Sequence, residues 1–239
     1  MIRFENISAV QSIGIPLEEV EARRHNLWVG ISFGNKTFTT EHIRSLLLCA
    51  LHFTKGKVLV WIPGRMQAIN FHYFDNISRA DALKKAFVAE DEKRREIETI
   101  LATLPEAEQK KISVANYDDI CTPLFIKRRE VLFREFSEQE DFYLDVVAIV
   151  KEVVQDRQRT ETKKLLENLS LYILQELPLF LNGVQTLFDK TLYSVCLYPG
   201  MGKLDDLVNE IWRGKKYAGL RKKLSLKEKV GIVDIRFEK

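Results

Sequence analysis

Long apolar runs are missing from this sequence: no stretch of about 18 apolar residues occurs, so no transmembrane helix is predicted. The N-terminal segment MIRFENISAV lacks the basic and apolar regions of a signal peptide, which favours a cytoplasmic location. Cysteines are few, and Cys49, Cys121 and Cys196 are widely spaced with no CxxC pair, so we expect reduced thiols in the core. The net charge is only +3, so any nucleic-acid contact must come from a local basic patch.

Signatures of cofactor binding are missing as well. No GxGxxG motif occurs, and no cluster of histidine, cysteine and carboxylate residues has the spacing of metal ligands. The segment PGMGK (199–203) is only distantly similar to a phosphate-binding loop, since a single residue separates its glycines and Leu204 replaces the required Ser or Thr. The sequence therefore predicts no nucleotide, nicotinamide or metal cofactor.

Apolar runs of strand character alternate with segments of helical periodicity over the whole chain. No repeat or Pro/Gly-rich linker interrupts this pattern, so we expect one domain, residues 1–239. The alternation predicts an α/β fold with a parallel sheet flanked by helices. The predicted strands are 27–33, 57–63, 112–117, 191–199 and 230–237, and the predicted helices include 41–53, 78–101, 163–176, 205–213 and two or three over 121–177.

The carboxyl ends of the predicted strands are the place to look for chemistry, because ligands bind there in parallel α/β sheets. Ser32, Pro63, Asp118 and Tyr198 would lie at those ends. Tyr198 could reach the same crevice as Ser32, or its ring could simply pack in the core.

Ser32 lies in GISFG (30–34), which matches the G-x-S-x-G turn that carries the nucleophile of α/β-hydrolases. In those enzymes the acid and the histidine follow the serine along the chain. The histidines here are His25, His42, His52 and His72, so none lies in the long remainder of the sequence. A hydrolase triad is therefore disfavoured, and Ser32 is either a structural loop residue or a nucleophile whose proton another group handles.

Tyr172 and Glu176 are four residues apart in SLYILQELPLF, which places them on one face of a helix. Because Pro178 disfavours helical geometry at Leu177, we expect the helix to end or bend there. Glu176 would then lie in the last turn, where the helix dipole prefers cations. It is either a solvated glutamate that tolerates this position or a residue that faces a cation, such as an α-ammonium group, with Tyr172 beside it.

The segment that follows the second strand is rich in basic residues, which could bind phosphates. Acidic neighbours such as Glu90 and Glu96 dilute it, so a merely solvated helix face is the alternative. The basic residues are Arg79, Lys84, Lys85, Lys93, Arg94 and Arg95.

Together these motifs resemble the tRNA-dependent cyclodipeptide synthases. The resemblance rests on GISFGNKTF (30–38), on Tyr-x-x-x-Glu-x-Pro-Leu-Phe (172–180) and on SVCLYP (194–199). It implies a Rossmann-type domain similar to the catalytic domain of class I aminoacyl-tRNA synthetases. It also implies two aminoacyl-tRNAs as substrates and no cofactor, since the esters are already activated. Tyr198-Pro199 makes the chain more similar to the Tyr-Pro branch of the family.

The resemblance also implies roles for individual residues. Ser32 would carry the aminoacyl and then the dipeptidyl group, and Tyr172 and Glu176 would hold the α-amino group. Tyr198 would relay protons, and Asn35 would order the catalytic loop. The pocket for the first amino acid would be lined by Trp28, Gly30, Val60, Leu179 and Cys196, and the basic helix would bind tRNA.

Two other functions stay open beside a cyclodipeptide synthase. One is a serine hydrolase or acyltransferase that uses GISFG, and the other is a non-catalytic protein that binds aminoacyl-tRNA on the same fold. We expect a monomer, because no long apolar stripe is left over in the sequence.

Overall fold

Strands and helices alternate in a computed structural model, which describes residues 2–4, 7–33, 35–226 and 229–238. The strands are β1 (Ile2–Phe4), β2 (Ile7–Ile13), β3 (Leu27–Gly30), β4 (Val58–Trp61), β5 (Ile112–Ala115), β6 (Val195–Pro199) and β7 (Gly231–Phe237). The helices are α1 (Leu17–Glu21), α2 (Thr40–His52), α3 (Ala68–Phe74), α4 (Arg79–Leu101), α5 (Glu106–Gln109), α6 (Pro123–Glu138), α7 (Glu140–Asp156), α8 (Lys163–Asn182), α9 (Lys203–Arg213) and α10 (Ala218–Leu224). Short 3₁₀ turns cover Gly64–Gln67 and Asp118–Ile120.

The described strands form one sheet in the order β1-β2-β7-β6-β3-β4-β5. From β7 to β5 every neighbouring pair is parallel, whereas β1–β2 and β2–β7 are antiparallel. The predicted α/β fold with a parallel sheet is confirmed, and the boundaries of the domain, 1–239, stay a prediction. The sequence pattern missed β2, whose pairing with β7 shifts register between Ala9 and Gln11, because such an irregularity interrupts the alternation that identifies a strand.

Each face of the parallel sheet has its own core, because successive side chains of a strand point to opposite faces. On one face Trp28, Trp61 and Cys196 pack with helices α6 to α10. On the other face Val29 and Val60 pack with α2 and the end of α4. The two layers of helices hold the strand ends rigidly at the edge where the site lies.

Helix α8 does not end at Leu177, so of the two predicted outcomes, an end or a bend, the end was wrong. The helix continues to Asn182 with Pro178 inside it. Leu177, Leu179 and Leu181 are all buried, and each such side chain contributes about 1.5–3 kcal/mol when it leaves water. This offsets the roughly 3 kcal/mol that an internal proline costs a helix. Glu176 therefore lies in the body of the helix, away from the last turn where the helix dipole acts.

The three cysteines lie in the described ranges and form no disulfide. Cys49 and Cys196 are buried as predicted, whereas Cys121 is only half-buried. Within the described ranges no helix is long and apolar enough to cross a membrane.

Candidate active site

Ser32 lies just beyond the carboxyl end of β3, at the edge that also carries Pro63, Asp118 and Tyr198, as the strand pattern predicted. The backbone N–H of Ile31 donates to the Trp61 carbonyl at 2.9 Å, which extends the β3–β4 ladder by one residue. Ile31 and Phe33 are buried on either side of Ser32, which is itself only half-buried. The strand and its two apolar neighbours thus fix the serine while leaving it accessible.

The loop after Ser32 is ordered by Asn35. The Asn35 side-chain oxygen accepts a hydrogen bond from the Thr37 N–H at 2.9 Å, and its carbonyl accepts one from the Phe38 N–H at 3.1 Å. Phe38 is buried, with its ring centroid 5.8 Å from that of Tyr198. Gly34, the second glycine of GISFG, lies outside the described residues.

The Tyr198 hydroxyl lies beside the side chains of Ser32 and Asn35, which act to lower the pKa of the phenol. Burial raises the pKa of the Tyr198 phenol above its usual value, and the nearby Glu176 raises it further. The phenol is therefore neutral at physiological pH. It can accept a proton from one oxygen while it donates its own to another.

Tyr172 and Glu176 are half-buried on α8, one helical turn apart, and face the same crevice. Burial raises the pKa of Glu176 to about 8, and Asp205 adds to the shift. Burial, together with Glu176 and Tyr198, raises the pKa of Tyr172 well above 10. An arriving ammonium group would offset the cost of ionising Glu176, because a nearby opposite charge favours the charged form.

Asp205, in the first turn of α9, is a member of this cluster that the sequence did not reveal. Its carboxylate accepts a hydrogen bond from the Gly202 N–H at 2.8 Å, which caps the helix. Burial raises its pKa to about 6, although the bonds to the Gly202 and Asp205 backbone act in the opposite direction. The pattern Gly-x-x-Asp (202–205), soon after a strand that ends at Pro199, was the available signal, and it predicts only a helix cap.

Four of the five residues predicted to line the first amino-acid pocket lie together. Trp28, Leu179 and Cys196 are buried in one cluster, and a Cβ atom on Gly30 would lie 3.4 Å from Trp28 Cζ3 and 3.8 Å from Tyr198 Cδ2. The prediction was wrong for Val60, which packs in the cluster on the opposite face of the sheet. Its neighbours Leu59 and Trp61 face the pocket side, because a strand alternates its side chains.

A separate cavity of about 180 Å³ opens beside Ser32 and Tyr172. Apolar side chains from α3, α7 and α8 form most of its wall, and Gln67, Asn70 and Arg157 add polar groups. These residues could not be predicted from the sequence, because they come from distant segments that only the fold brings together.

The basic residues predicted to bind tRNA lie along α4, but most of them are engaged within the protein. Lys85 pairs with Asp75 at 2.8 Å, Lys93 pairs with Glu96, and Arg94 approaches Glu90 at 3.5 Å. Arg95 donates to the backbone carbonyl of Asp91 at 3.3 Å. Arg79 and Lys84 are exposed and have no ion-pair partner among the described residues.

The histidines have other partners than Ser32. His25 bonds to the Ser194 hydroxyl at 3.0 Å, and His42 and His72 bond to the carbonyls of Thr37 and Ile77. His52 contacts Arg23 at 3.2 Å. In the described part of the chain no three His, Cys, Asp or Glu side chains are grouped so that they could hold a metal ion. The crevice is thus a serine with a phenol beside it and a carboxylate opposite, without an imidazole base.

Comparison with known proteins identifies the family. A model of the cyclodipeptide synthase family matches residues 10–216. The chain belongs to the cyclodipeptide synthase family. A search of curated protein sequences finds no match.

Solved structures of cyclodipeptide synthases share the fold at low sequence identity. The enzyme of Staphylococcus haemolyticus superposes with a TM-score of 0.75 at 17% identity, covering 98% of this chain and 100% of its own. A Mycobacterium tuberculosis protein superposes with a TM-score of 0.70 at 18% identity, covering 92% of this chain and 89% of its own. Its structure is described as relating cyclodipeptide synthetases to type I tRNA synthetases. The enzyme of Candidatus Glomeribacter gigasporarum, bound to Phe-tRNAPhe, superposes with a TM-score of 0.54 at 13% identity, covering 93% of this chain and 92% of its own.

Proposed function

We propose that this chain joins two aminoacyl groups, delivered as aminoacyl-tRNAs, into a 2,5-diketopiperazine through esters on Ser32. The observation that carries the proposal is the convergence of Ser32, Tyr198 and the Tyr172–Glu176 pair at one edge of the sheet. Membership of the cyclodipeptide synthase family and the likeness to a relative bound to Phe-tRNAPhe support the substrate class. We assign the chain to the Tyr-Pro branch from Tyr198-Pro199, and we expect it to act as a cytoplasmic monomer.

In the first step the Ser32 hydroxyl oxygen attacks the ester carbonyl of the first aminoacyl-tRNA. The Ser32–carbonyl bond forms, the bond to the ribose oxygen breaks, and the serine proton passes through the Tyr198 phenol to that ribose oxygen. One ester replaces another, so the step is close to isoenergetic and needs no nucleotide cofactor. The position of Tyr198 beside Ser32 supports this relay.

Glu176 then handles the amino group of the bound residue. Its pKa of about 8 is close to that of an α-amino group, about 7.7–8.0. The bound ammonium group favours the ionised carboxylate, so Glu176 holds the amine as an ion pair and accepts its proton when the neutral amine is needed. Tyr172, one turn from Glu176 on α8, forms a hydrogen bond with the same amino group.

The second aminoacyl-tRNA supplies the amine that receives the aminoacyl group from Ser32. The amine of the second aminoacyl-tRNA attacks the aminoacyl ester, the bond to the Ser32 oxygen breaks, and that oxygen takes the amine proton. Ser32 then attacks the ester of the resulting dipeptidyl-tRNA, and the ribose oxygen leaves with the serine proton. The dipeptide amine finally attacks the new Ser32 ester, closes the ring and returns the proton to the serine oxygen. Every bond made to Ser32 is thus broken again within the cycle.

The experiment that tests the function is detection of the product. The purified chain is incubated with total aminoacyl-tRNA, and cyclic dipeptides are measured by mass spectrometry beside Ser32→Ala and Ser137→Ala variants. Ser137 is an exposed helical serine and serves as the matched control. We expect product from the parent and Ser137→Ala proteins only. Tight binding of aminoacyl-tRNA without any product would instead favour a non-catalytic binding protein.

A further inference from the structure

The cavity beside Ser32 is distinct from the predicted first pocket, since none of Trp28, Gly30, Leu179 or Cys196 lines it. It begins at Ser32 and Tyr172, so a group placed in it would lie next to the reacting ester. The proposed reaction brings two amino acids to Ser32, and the cavity offers space for the side chain of the one that the first pocket does not hold.

Gln67 gives the cavity a hydrogen-bond donor. The residue is only 4% exposed. Its side-chain oxygen accepts a long bond of 3.4 Å from the Asn70 amide, but in the described residues its own amide nitrogen has no acceptor. The amide N–H groups are therefore available to a ligand group in the cavity that accepts a hydrogen bond.

Arg157 gives the same cavity a positive charge. Its guanidinium carbon lies 4.2 Å from the centroid of the Phe74 ring, which holds the head group against the cavity wall. Lys151 on α7 and Lys203 on α9 are paired with carboxylates, whereas Arg157 has no acidic partner among the described residues. Among the described residues that line the cavity there is no aspartate or glutamate.

We propose that this cavity selects an acidic amino acid, glutamate or aspartate, as one of the two that are joined. The inference rests on the proposed function. A carboxylate would accept hydrogen bonds from the planar guanidinium of Arg157 and from the Gln67 amide. The methylene groups would contact the apolar wall formed by Phe74, Val150 and Leu169. A basic side chain would meet Arg157 as a like charge, and an apolar one would leave Gln67 without an acceptor.

The test is a competition among all aminoacyl-tRNAs, with the cyclic dipeptides quantified by mass spectrometry. The parent protein is compared with Arg157→Met, which keeps the stem and removes the charge, and with Arg157→Glu, which reverses it. Lys164→Met is the matched control, because Lys164 is an exposed cation of α8 that does not line the cavity. Arg157 is exposed, so both variants are expected to fold.

We expect glutamate or aspartate in the main product of the parent and of Lys164→Met. In Arg157→Met the share of acidic products should fall about tenfold, since the charge is partly exposed, and Arg157→Glu should favour lysine or arginine instead. The inference is overturned if the parent joins only uncharged residues. It is equally overturned if Arg157→Met lowers all products by the same factor, because Arg157 would then contact a part common to every aminoacyl-tRNA. Absence of any cyclic dipeptide from the parent would overturn the proposed function itself.

Discussion

The crevice at Ser32 and the basic helix α4 were both predicted from sequence, but the structure brings the crevice residues together and leaves most of the α4 cations engaged within the chain. In the crevice, residues from β3, β6 and α8 converge, and their pKa values are shifted by burial and by one another. On α4, four of the six predicted phosphate-binding cations are bound to acidic side chains or backbone of their own chain. Strand ends are placed by topology, whereas the partner of a surface charge depends on whichever opposite charge lies nearest.

The crevice depends most on the carboxylate of Glu176. We expect Glu176→Gln to lower the rate of cyclic dipeptide formation by about 10³-fold, because the amide can neither accept a proton nor pair with an ammonium group. The measurement is a product time course with the parent and Glu138→Gln, an exposed glutamate, as the control. A rate within threefold of the parent would show that Glu176 does not handle the amine.

Tyr198 is expected to have the next largest effect. Tyr198→Phe keeps the ring that packs on Phe38 and removes the hydroxyl beside Ser32. Loss of the proton relay should lower the rate about 100-fold. Tyr193→Phe provides the comparison, because Tyr193 is a buried tyrosine two residues before β6 whose hydroxyl bonds to Asp189 at 3.1 Å. Equal losses in the two variants would indicate a general effect of removing a tyrosine hydroxyl rather than a relay.

The pH dependence of stability tests the environment of Glu176. Its pKa is raised from 4.5 to about 8 in the folded state, so above pH 4.5 the unfolded chain releases a proton that the folded chain keeps. Folded stability is therefore lost as the pH rises from about 4.5 to 8. Glu176→Gln should gain about 2 kcal/mol in free energy of unfolding at pH 8, a value discounted for partial exposure, and almost none at pH 4.5. Urea unfolding at both pH values measures this, and an equal effect at the two would refute the raised pKa.

The smallest effects are expected on α4, where they separate free cations from engaged ones. Arg79→Ala with Lys84→Ala should weaken aminoacyl-tRNA binding about fivefold and reduce its salt dependence, since both cations are available to phosphates. Lys85→Ala with Lys93→Ala removes two positive charges that are already paired with carboxylates. We expect this double variant to weaken aminoacyl-tRNA binding only about twofold. Binding is measured by gel shift at two salt concentrations. Equal losses for the two pairs would mean that intramolecular pairing does not decide which cations bind.

Much of the crevice could be predicted because local pattern fixes it. The apolar run that ends at Gly30 places Ser32 at a strand end, and the i,i+4 spacing places Tyr172 and Glu176 on one face. The end of α8 was mispredicted because burial of the residues after Pro178 outweighs the local cost of proline.

Other features depend on contacts between distant segments, which a single sequence does not show. Val60 was assigned to the wrong face, because proximity to a motif in sequence does not fix the direction of a side chain in a strand. Asp205 reaches the crevice only because α9 packs on α8. Gln67 and Arg157 meet in one cavity from opposite ends of a long stretch of chain.

The central claim is that Ser32 carries the amino acid as an ester. The Glu176→Gln protein, which should be slow to complete the cycle, is mixed with aminoacyl-tRNA and quenched in acid, and its intact mass is measured with and without Ser32→Ala in the same chain. We predict a mass increase of one aminoacyl group that maps to Ser32 and is absent from the double variant. An unchanged mass, or an adduct that persists in the double variant, would contradict the account.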